Sequence, residues 1–508
     1  MKNNTWKPFA ITFLVIAILM GMFYLPRIQV GDKLLRRVNI LSEIQQRDNE
    51  GNIVAEVHAD QSEGIVEQKF DSAATRVAKA VFVDSIPEGM TAIEDFSNGE
   101  TPLMDRFYSA LDKSDTRPVR IAYYGDSFIE GDILTSDLRD MLQSAYGGCG
   151  VGFVDIHSIT AGFRQTVTAK STGWTDYNAN DKGKAFNKSY QGMNGRYFIS
   201  NNGTMELKGK KGKGSHLDTM RVATIYFTPG AGLKISSSIN GEDMSELYTS
   251  GGEAEYEEQT YTVQDKHVNV TYNEDSSEVY YDTVYTTREV HTSVGHQEQG
   301  HIAHKSVHGK IGTFKMSISG GGSSRFYGVA LDGTKGVTLD NFSMRGSNGW
   351  YIQDIPMSTL RAFNTMRPYD LIVVHFGLNT ANRKQKDYSA YTKRMSESIK
   401  HLKQAFPEAA ILIVSIGDRE EKNSDGNMHT MPGVRELVSY QRKMASDEHV
   451  AFWNLYEAMG GDGSLAQMVE KKQANRDYTH INFAGGKHIA KIFYDVLQNG
   501  KENYDRRK

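Results

Sequence analysis

The chain of 508 residues has a single cysteine, Cys149. No internal disulfide and no Cys-x-x-Cys metal site can form, and Cys149 stands too far from the N-terminus to carry a lipoprotein-type lipid. An excess of charge is also missing. Lys plus Arg number 58 against 62 Asp plus Glu, for a net charge of −4. With no long basic face, this balance argues against a nucleic-acid partner. The one basic run of note, Lys208 to Lys213, reads as a solvated hairpin tip. Five of the histidines (His291, His296, His301, His304 and His308) lie close together, but in no zinc-ligand spacing, so neither a metal nor a cofactor is expected.

Phe9 to Leu25 lacks charge altogether and is mostly Ile, Leu, Val, Phe, Met and Ala. As a helix it would be about 26 Å long, close to the hydrocarbon thickness of a bilayer. No small-x-small cleavage site follows. Residues 1–30 therefore read as a cytoplasmic stub and an uncleaved transmembrane signal anchor. The flanking charges, Lys2 and Lys7 against Arg27, Lys33, Arg36 and Arg37, compete under the positive-inside rule and leave orientation open. Residues 31–98 are polar and mixed in charge and read as a tether with a short helix around Ser72 to Val83.

The chain does contain Gly125-Asp126-Ser127, between an apolar strand at Val119 to Tyr124 and a helix predicted over Thr135 to Tyr146. A serine at such a strand-to-helix turn projects its hydroxyl above a sheet end, where the following N–H groups stabilise negative charge. Alone the triplet is no more than a turn. A nucleophile needs a base, an orienting acid and donors for an oxyanion. Asp477-Tyr478-Thr479-His480, in the loop before a C-terminal helix predicted from about Ala484, places an acid and a base on one side of a turn. Leu371-Ile372-Val373-Val374 reads as a strand buried on both faces, running into Gly377-Leu378-Asn379, where an amide can face an oxyanion. Val337 to Met344 reads as a further strand, ending just before Gly346, whose backbone N–H is a second donor; Gly349 lies close by.

These four segments resemble the SGNH (GDSL-type) serine hydrolases, whose blocks run Gly-Asp-Ser, Gly, Gly-x-Asn and Asp-x-x-His in this order. The resemblance implies Ser127 as nucleophile, His480 as base and Asp477 as its orienting acid. Ser127 N–H, Gly346 N–H and the Asn379 side chain would form the oxyanion hole, with Gly125, Asp126 and Gly377 supporting the motifs. Phe128 stands where the family name implies Leu, and Thr380 where many members carry Asp; neither position is catalytic.

From about 162 to 332 the texture changes to alternating runs with frequent turns, such as Val222 to Phe227 and Phe314 to Ile318. This pattern predicts an antiparallel β-sandwich or jelly roll, inserted between the catalytic parts 99–161 and 333–508. Apolar residues spaced by three and four predict a helix over Asp387 to Ala405, and Ala410 to Ile416 a buried strand. The expected fold class is thus α/β: a doubly wound parallel sheet, flavodoxin-like and three-layered, interrupted by the sandwich and preceded by the transmembrane helix. A split of this kind is similar to bacterial peptidoglycan O-acetyl esterases, whose inserted sandwich resembles carbohydrate-binding modules. Trp174, Tyr177, Tyr280, Tyr281 and Tyr285 are candidates for stacking on sugars, or else sheet-packing aromatics.

The expected function is a serine esterase hydrolysing O-acyl, in particular O-acetyl, esters of an envelope or extracellular glycan through an acyl-serine. The resemblance places the catalytic part on the extracytoplasmic (periplasmic) side of the inner (cytoplasmic) membrane, with a single pass. The alternative is an O-acyltransferase using the same acyl-serine with a membrane-bound O-acyltransferase as partner. A non-catalytic glycan-binding protein is the third reading.

Overall fold

A computed structural model describes residues 80–508, apart from 182–185, 211–215, 218, 251–255, 273–278, 296–301 and 425, and the backbone of two short strands near the N-terminus. Those two strands, Gln29–Val30 and Lys33–Leu34, pair antiparallel in a unit of their own. The apolar run at Phe9 to Leu25 lies outside the described residues. Among the described residues, no helix is long and apolar enough to cross a membrane.

The central sheet has seven strands: β1 (Phe82–Val83), β2 (Ile93–Asp95), β3 (Pro118–Gly125), β4 (Gly336–Ser343), β5 (Leu371–His375), β6 (Ala410–Val414) and β7 (Ala451–Trp453). They lie in the order β4-β3-β5-β6-β7-β2-β1. From β4 to β7 all neighbours are parallel, whereas β2 and β1 close the edge antiparallel. The end of the expected tether is therefore part of the sheet, and Phe82–Val83 is a strand instead of the end of a helix. Polar residues with little periodicity hide an edge strand, which packs on one face and pairs on one side only.

Period-two alternation sorts the strands' side chains into two cores. Ala122, Tyr124, Phe342, Ile372, Val374, Ile411, Ile413 and Phe452 face one layer. Ile121, Tyr123, Leu339, Val373, Leu412 and Trp453 face the other. The helices that cover the sheet include α1 (Asp105–Leu111), α2 (Thr135–Tyr146), α3 (Met357–Met366), α4 (Ser389–Ala405), α5 (Gly433–Asp447) and α6 (Phe483–Arg507). Their apolar stripes divide likewise: α3, α4 and α5 cover the first face, and α1, α2 and α6 the second. Burial on both faces is why β5 and β6 are unbroken aliphatic runs. Among the parallel strands the chain order is 2-1-3-4-5. The crossovers change direction between β3 and β5, and ligands of open α/β sheets bind at the carboxyl side of such a switch point.

Between α2 and β4 lie two antiparallel sheets. One runs Ser245–Thr249, Lys234–Ile239, Thr313–Ser319, Thr204–Gly209, Val167–Thr172; the other runs Ala303–Ile311, Met220–Thr228, Arg325–Asp332, Arg196–Ile199, Thr175–Asn178. Leu207, Ile235, Phe314 and Met316 of the first meet Phe198, Ile225, Phe227 and Val329 of the second in one core, as in a sandwich. The second sheet already begins at Gly152–Val154, which pairs with Arg325–Asp332, ahead of the expected start at 162. A hairpin of two 17-residue strands, Tyr256–Tyr272 and Val279–Gly295, also lies within the insertion.

The outer face of the second sheet packs on the α/β layers. Tyr226 and Tyr327 lie 5.3 and 5.9 Å from Phe363, and Phe153 lies 5.4 Å from Phe342. Beside them the buried Arg367 guanidinium donates to Asp340 of β4 (2.6 and 2.7 Å) and to Asp332 at the end of an inserted strand (3.1 Å). Removing one partner of such a set leaves a buried charge uncompensated and typically costs about 3–5 kcal/mol. Trp174 and Tyr177 are sheet-packing aromatics here. The Trp174 ring meets Phe326 edge-on at 5.0 Å and its N–H donates to Thr204 O, while Tyr177 stacks on Tyr197 at 4.7 Å. The side chains of Tyr280, Tyr281 and Tyr285 lie outside the described residues.

Candidate active site

Ser343, Gly125 and His375 stand level across β4, β3 and β5. Each strand ends within a residue or so of this line, so the three following loops leave the same edge together. They carry Gly346, Ser127 and Asn379. After β3 the chain turns at Asp126 into a short 3-10 stretch, Ser127–Asp132. The Asp126 carboxylate accepts the N–H of Phe128 (3.0 Å) with one oxygen and that of Leu378 (3.2 Å) with the other. One side chain therefore ties the Ser127 turn to the Asn379 loop. Burial pushes its pKa up to about 6, against the pull of the Phe128 N–H, the charge of His480 and the N–H groups of Leu378 and Gly377.

Ser127 is 5% exposed. Its Oγ lies 3.1 Å from His480 Nε2, and His480 Nδ1 lies 2.7 Å from Asp477 Oδ2. The carboxylate fixes the proton on Nδ1, which leaves Nε2 as the acceptor facing the hydroxyl. The other Asp477 oxygen accepts the N–H of Thr479 and of His480, both at 3.0 Å. These bonds close the Asp-x-x-His turn on itself, with Tyr478 at φ 52°. Partial burial opposes the Asp477 charge, but the His480 ring and the two backbone N–H groups outweigh it and hold the carboxyl below its ordinary range. The Asn482 side chain then caps α6, accepting from Ala484 N (3.0 Å) and Gly485 N (3.2 Å). The first turn of α6 presses on the Ile133 carbonyl so closely that a Cβ at Gly486 would collide with it. That contact sets the His480 turn against the end of the Ser127 turn.

The Gly346 loop is pinned on three sides. Arg345 Nη1 donates to Glu130 Oε2 at 2.7 Å, Asn180 Nδ2 to Arg345 O at 2.8 Å, and Asn379 Nδ2 to Ser347 O at 2.9 Å. The Asn379 amide carries two N–H bonds, so this contact orients the side chain while using one of them. Gly346 is exposed at φ 75°, and a Cβ there would make an ordinary contact with Asn180 Nδ2 at 4.0 Å. Gly349, its near neighbour in sequence, is buried against Phe376 and Met395, and its N–H donates to Ser347 Oγ at 3.1 Å. Of the two glycines, Gly346 is the one at the open edge.

His375 is the second histidine near Ser127, and it lies beneath the site. It is buried, edge-on to Phe128 at 5.1 Å, with Nδ1 3.1 Å from Tyr123 Oη. Burial lowers its pKa to about 3, so it is a neutral packing group. Among the described residues, no group of three or more His, Cys, Asp or Glu could hold a metal ion.

The fold joins Ser127, His480 and Asp477 in one hydrogen-bonded relay and carries Gly346 and Asn379 on loops that leave the same sheet edge. The sequence did not reveal Asn180, Glu130 or Arg345. Their partners are 165 and 215 positions away, and a long-range pairing leaves no local periodicity or motif.

No family model matches this chain, and no curated protein matches it. Solved structures do. A family two carbohydrate esterase from Clostridium thermocellum, in complex with cellohexaose, is 11% identical, with 62% of this chain and 99% of that one covered and a TM-score of 0.26. The acetyl xylan esterase AlAXEase is 16% identical over 32% of this chain and 81% of its own, at a TM-score of 0.22. Superpositions this loose carry no weight. A peptidoglycan O-acetylesterase is different: at 16% identity it covers 81% of this chain and 99% of its own, with a TM-score of 0.56. This chain has the overall fold of that protein.

Proposed function

We propose that this protein is a serine esterase of the SGNH type that hydrolyses O-acyl esters, acetyl above all, on an envelope glycan. The observation that carries the reading is the relay Ser127–His480–Asp477, with bonds of 3.1 and 2.7 Å at the carboxyl edge of a switch point. Ser127 Oγ attacks the ester carbonyl as its proton passes to His480 Nε2. The tetrahedral oxyanion lies against Ser127 N–H, Gly346 N–H and the Asn379 amide. The carbon–oxygen bond to the sugar then breaks, and the imidazolium returns its proton to the departing alcohol. Water, deprotonated by the same imidazole, releases the acyl group and restores Ser127. Each oxyanion donor is worth roughly a hundredfold or more in rate.

Acetyl and glycan are the finer part of the reading. They are supported by the fold shared with a peptidoglycan O-acetylesterase over 81% of this chain and by the order of the sequence blocks. His480 and Asp477 keep 24% and 46% of their side-chain surface exposed, so water reaches the base. That favours hydrolysis over transfer to a sugar. The uncharged run from Phe9 to Leu25 supports a membrane anchor, and the resemblance to peptidoglycan O-acetyl esterases supports a site on the extracytoplasmic side.

The test incubates the purified full-length chain with an O-acetylated envelope glycan and follows acetate. Release of free acetate in step with loss of ester is the expected outcome. Acetyl groups moving to a deacetylated acceptor without free acetate would establish transfer instead. No acetate from the glycan or from any small acetyl ester would overturn the reading.

A further inference from the structure

We propose that Asn180, a residue of the inserted sandwich, is a positioning residue for the esterase reaction: it sets the direction of the Gly346 N–H. The proposal rests on the reading of Gly346 as an oxyanion donor. Arg345 C=O and Gly346 N–H belong to one planar trans peptide and point in opposite directions. Asn180 Nδ2 holds the Arg345 carbonyl oxygen at 2.8 Å, so the N–H on the other side of that peptide is aimed away from the sandwich. The need for such a hold follows from the local backbone. Gly346 sits at φ 75°, and glycine crosses to negative φ at little cost, which would turn the peptide over and remove the donor. The neighbouring bonds do not prevent this: Glu130 grips the Arg345 guanidinium, Asn379 grips the carbonyl two residues on, that of Ser347, and the Ser347 N–H bond to Met344 O (3.0 Å) closes the four-residue turn whichever way its central peptide faces. A donor on the carbonyl also polarises the peptide and strengthens its N–H.

Asn180 is itself anchored. It follows the strand Thr175–Asn178 in a turn where Asn180 N donates to Asn178 Oδ1 (3.1 Å) and Asp181 N to Asn178 O (3.0 Å). The adjacent Ala179 N donates to Gly195 O at 3.0 Å. Gly195 presses so near the oxyanion loop that a Cβ there would lie 2.5 Å from Tyr351 and 2.6 Å from Met344, the residue before Arg345. The sandwich is thereby seated against the loop that Asn180 orients, and the insertion completes the catalytic edge.

The experiment measures kcat and KM of the full chain on 4-nitrophenyl acetate for the parent, Asn180→Ala, Asn180→Asp and Ser127→Ala, with melting temperature as a check on folding. Asn180→Asp keeps the size of the side chain but sets an acceptor against the carbonyl. Both Asn180 variants should lose about 10–100-fold in kcat, somewhat less than deletion of a donor. KM should stay within about twofold, the melting temperature should be unchanged, and Asp should be at least as damaging as Ala. Parental kcat in either Asn180 variant, or a loss confined to KM, overturns the proposal when Ser127→Ala is inactive. Parental activity in Ser127→Ala would instead defeat the esterase reading itself.

Discussion

The turn at 125–132 and the turn at 477–480 each supply half of the relay, and each is organised around an aspartate, yet the two are built in opposite ways. Asp126 is 1% exposed and its pKa is driven up to about 6 by burial. Asp477 is half-exposed and is held down by the ring and N–H groups around it. Asp126 bonds across the edge of the sheet to a loop 252 residues away, whereas among the described residues Asp477 bonds within its own turn. Ser127 is therefore placed by the sheet and its core. His480 is placed by a local turn and by the seating of α6 on Ile133.

The two aspartates should fail differently. Asp477→Asn removes the acceptor that fixes the His480 tautomer. Loss of that role in a buried triad costs about 10⁴ in kcat. Because water reaches Asp477, about 10²–10³ is expected here, with the melting temperature unchanged. Activity within threefold of the parent would mean that the turn orients His480 without the carboxylate.

Asp126→Asn should cost less in rate and act mainly on pH dependence. Below about pH 4 the carboxyl is protonated both in the folded and the unfolded chain. Between the ordinary value of 3.8 and about 6 the folded protein keeps a proton that the unfolded chain has released. Stability present at low pH is thus lost as pH rises through 6. Asparagine does not titrate, so the melting temperature of Asp126→Asn relative to the parent should rise from pH 4 to pH 7. A difference that does not change with pH would contradict the burial argument. The effect on kcat should be about tenfold or less, since one of the two N–H contacts, to Phe128 or to Leu378, is lost.

The same contrast explains what the sequence made legible. β3, β5 and β6 are runs of apolar residues because both of their faces are covered, and helix α2 falls over the residues that its pattern predicts. The site residues were legible because each lies within a few residues of the end of such a run, or sits in a compact turn like Asp477 to His480. The edge strand Phe82–Val83, half-covered, and its three-residue neighbour Ile93–Asp95, mixed in charge, gave no periodic signal. Contacts that join distant segments gave none either. In the sequence Asn180, Glu130 and Arg345 are ordinary polar residues until the fold brings them to one loop. Trp174 and Tyr177 show the converse: aromatics that suggested sugar stacking are consumed by packing.

The central claim is that Ser127 carries the acyl group. The most direct measurement quenches the full-length chain during turnover of an activated acetyl ester and maps acetylated peptides by mass spectrometry. A transient acetyl group on the peptide containing Ser127 is expected, accumulating when Asp477→Asn slows its removal and missing in Ser127→Ala. Full turnover with no acetyl group on Ser127, or with one on another side chain that Ser127→Ala leaves in place, would contradict it.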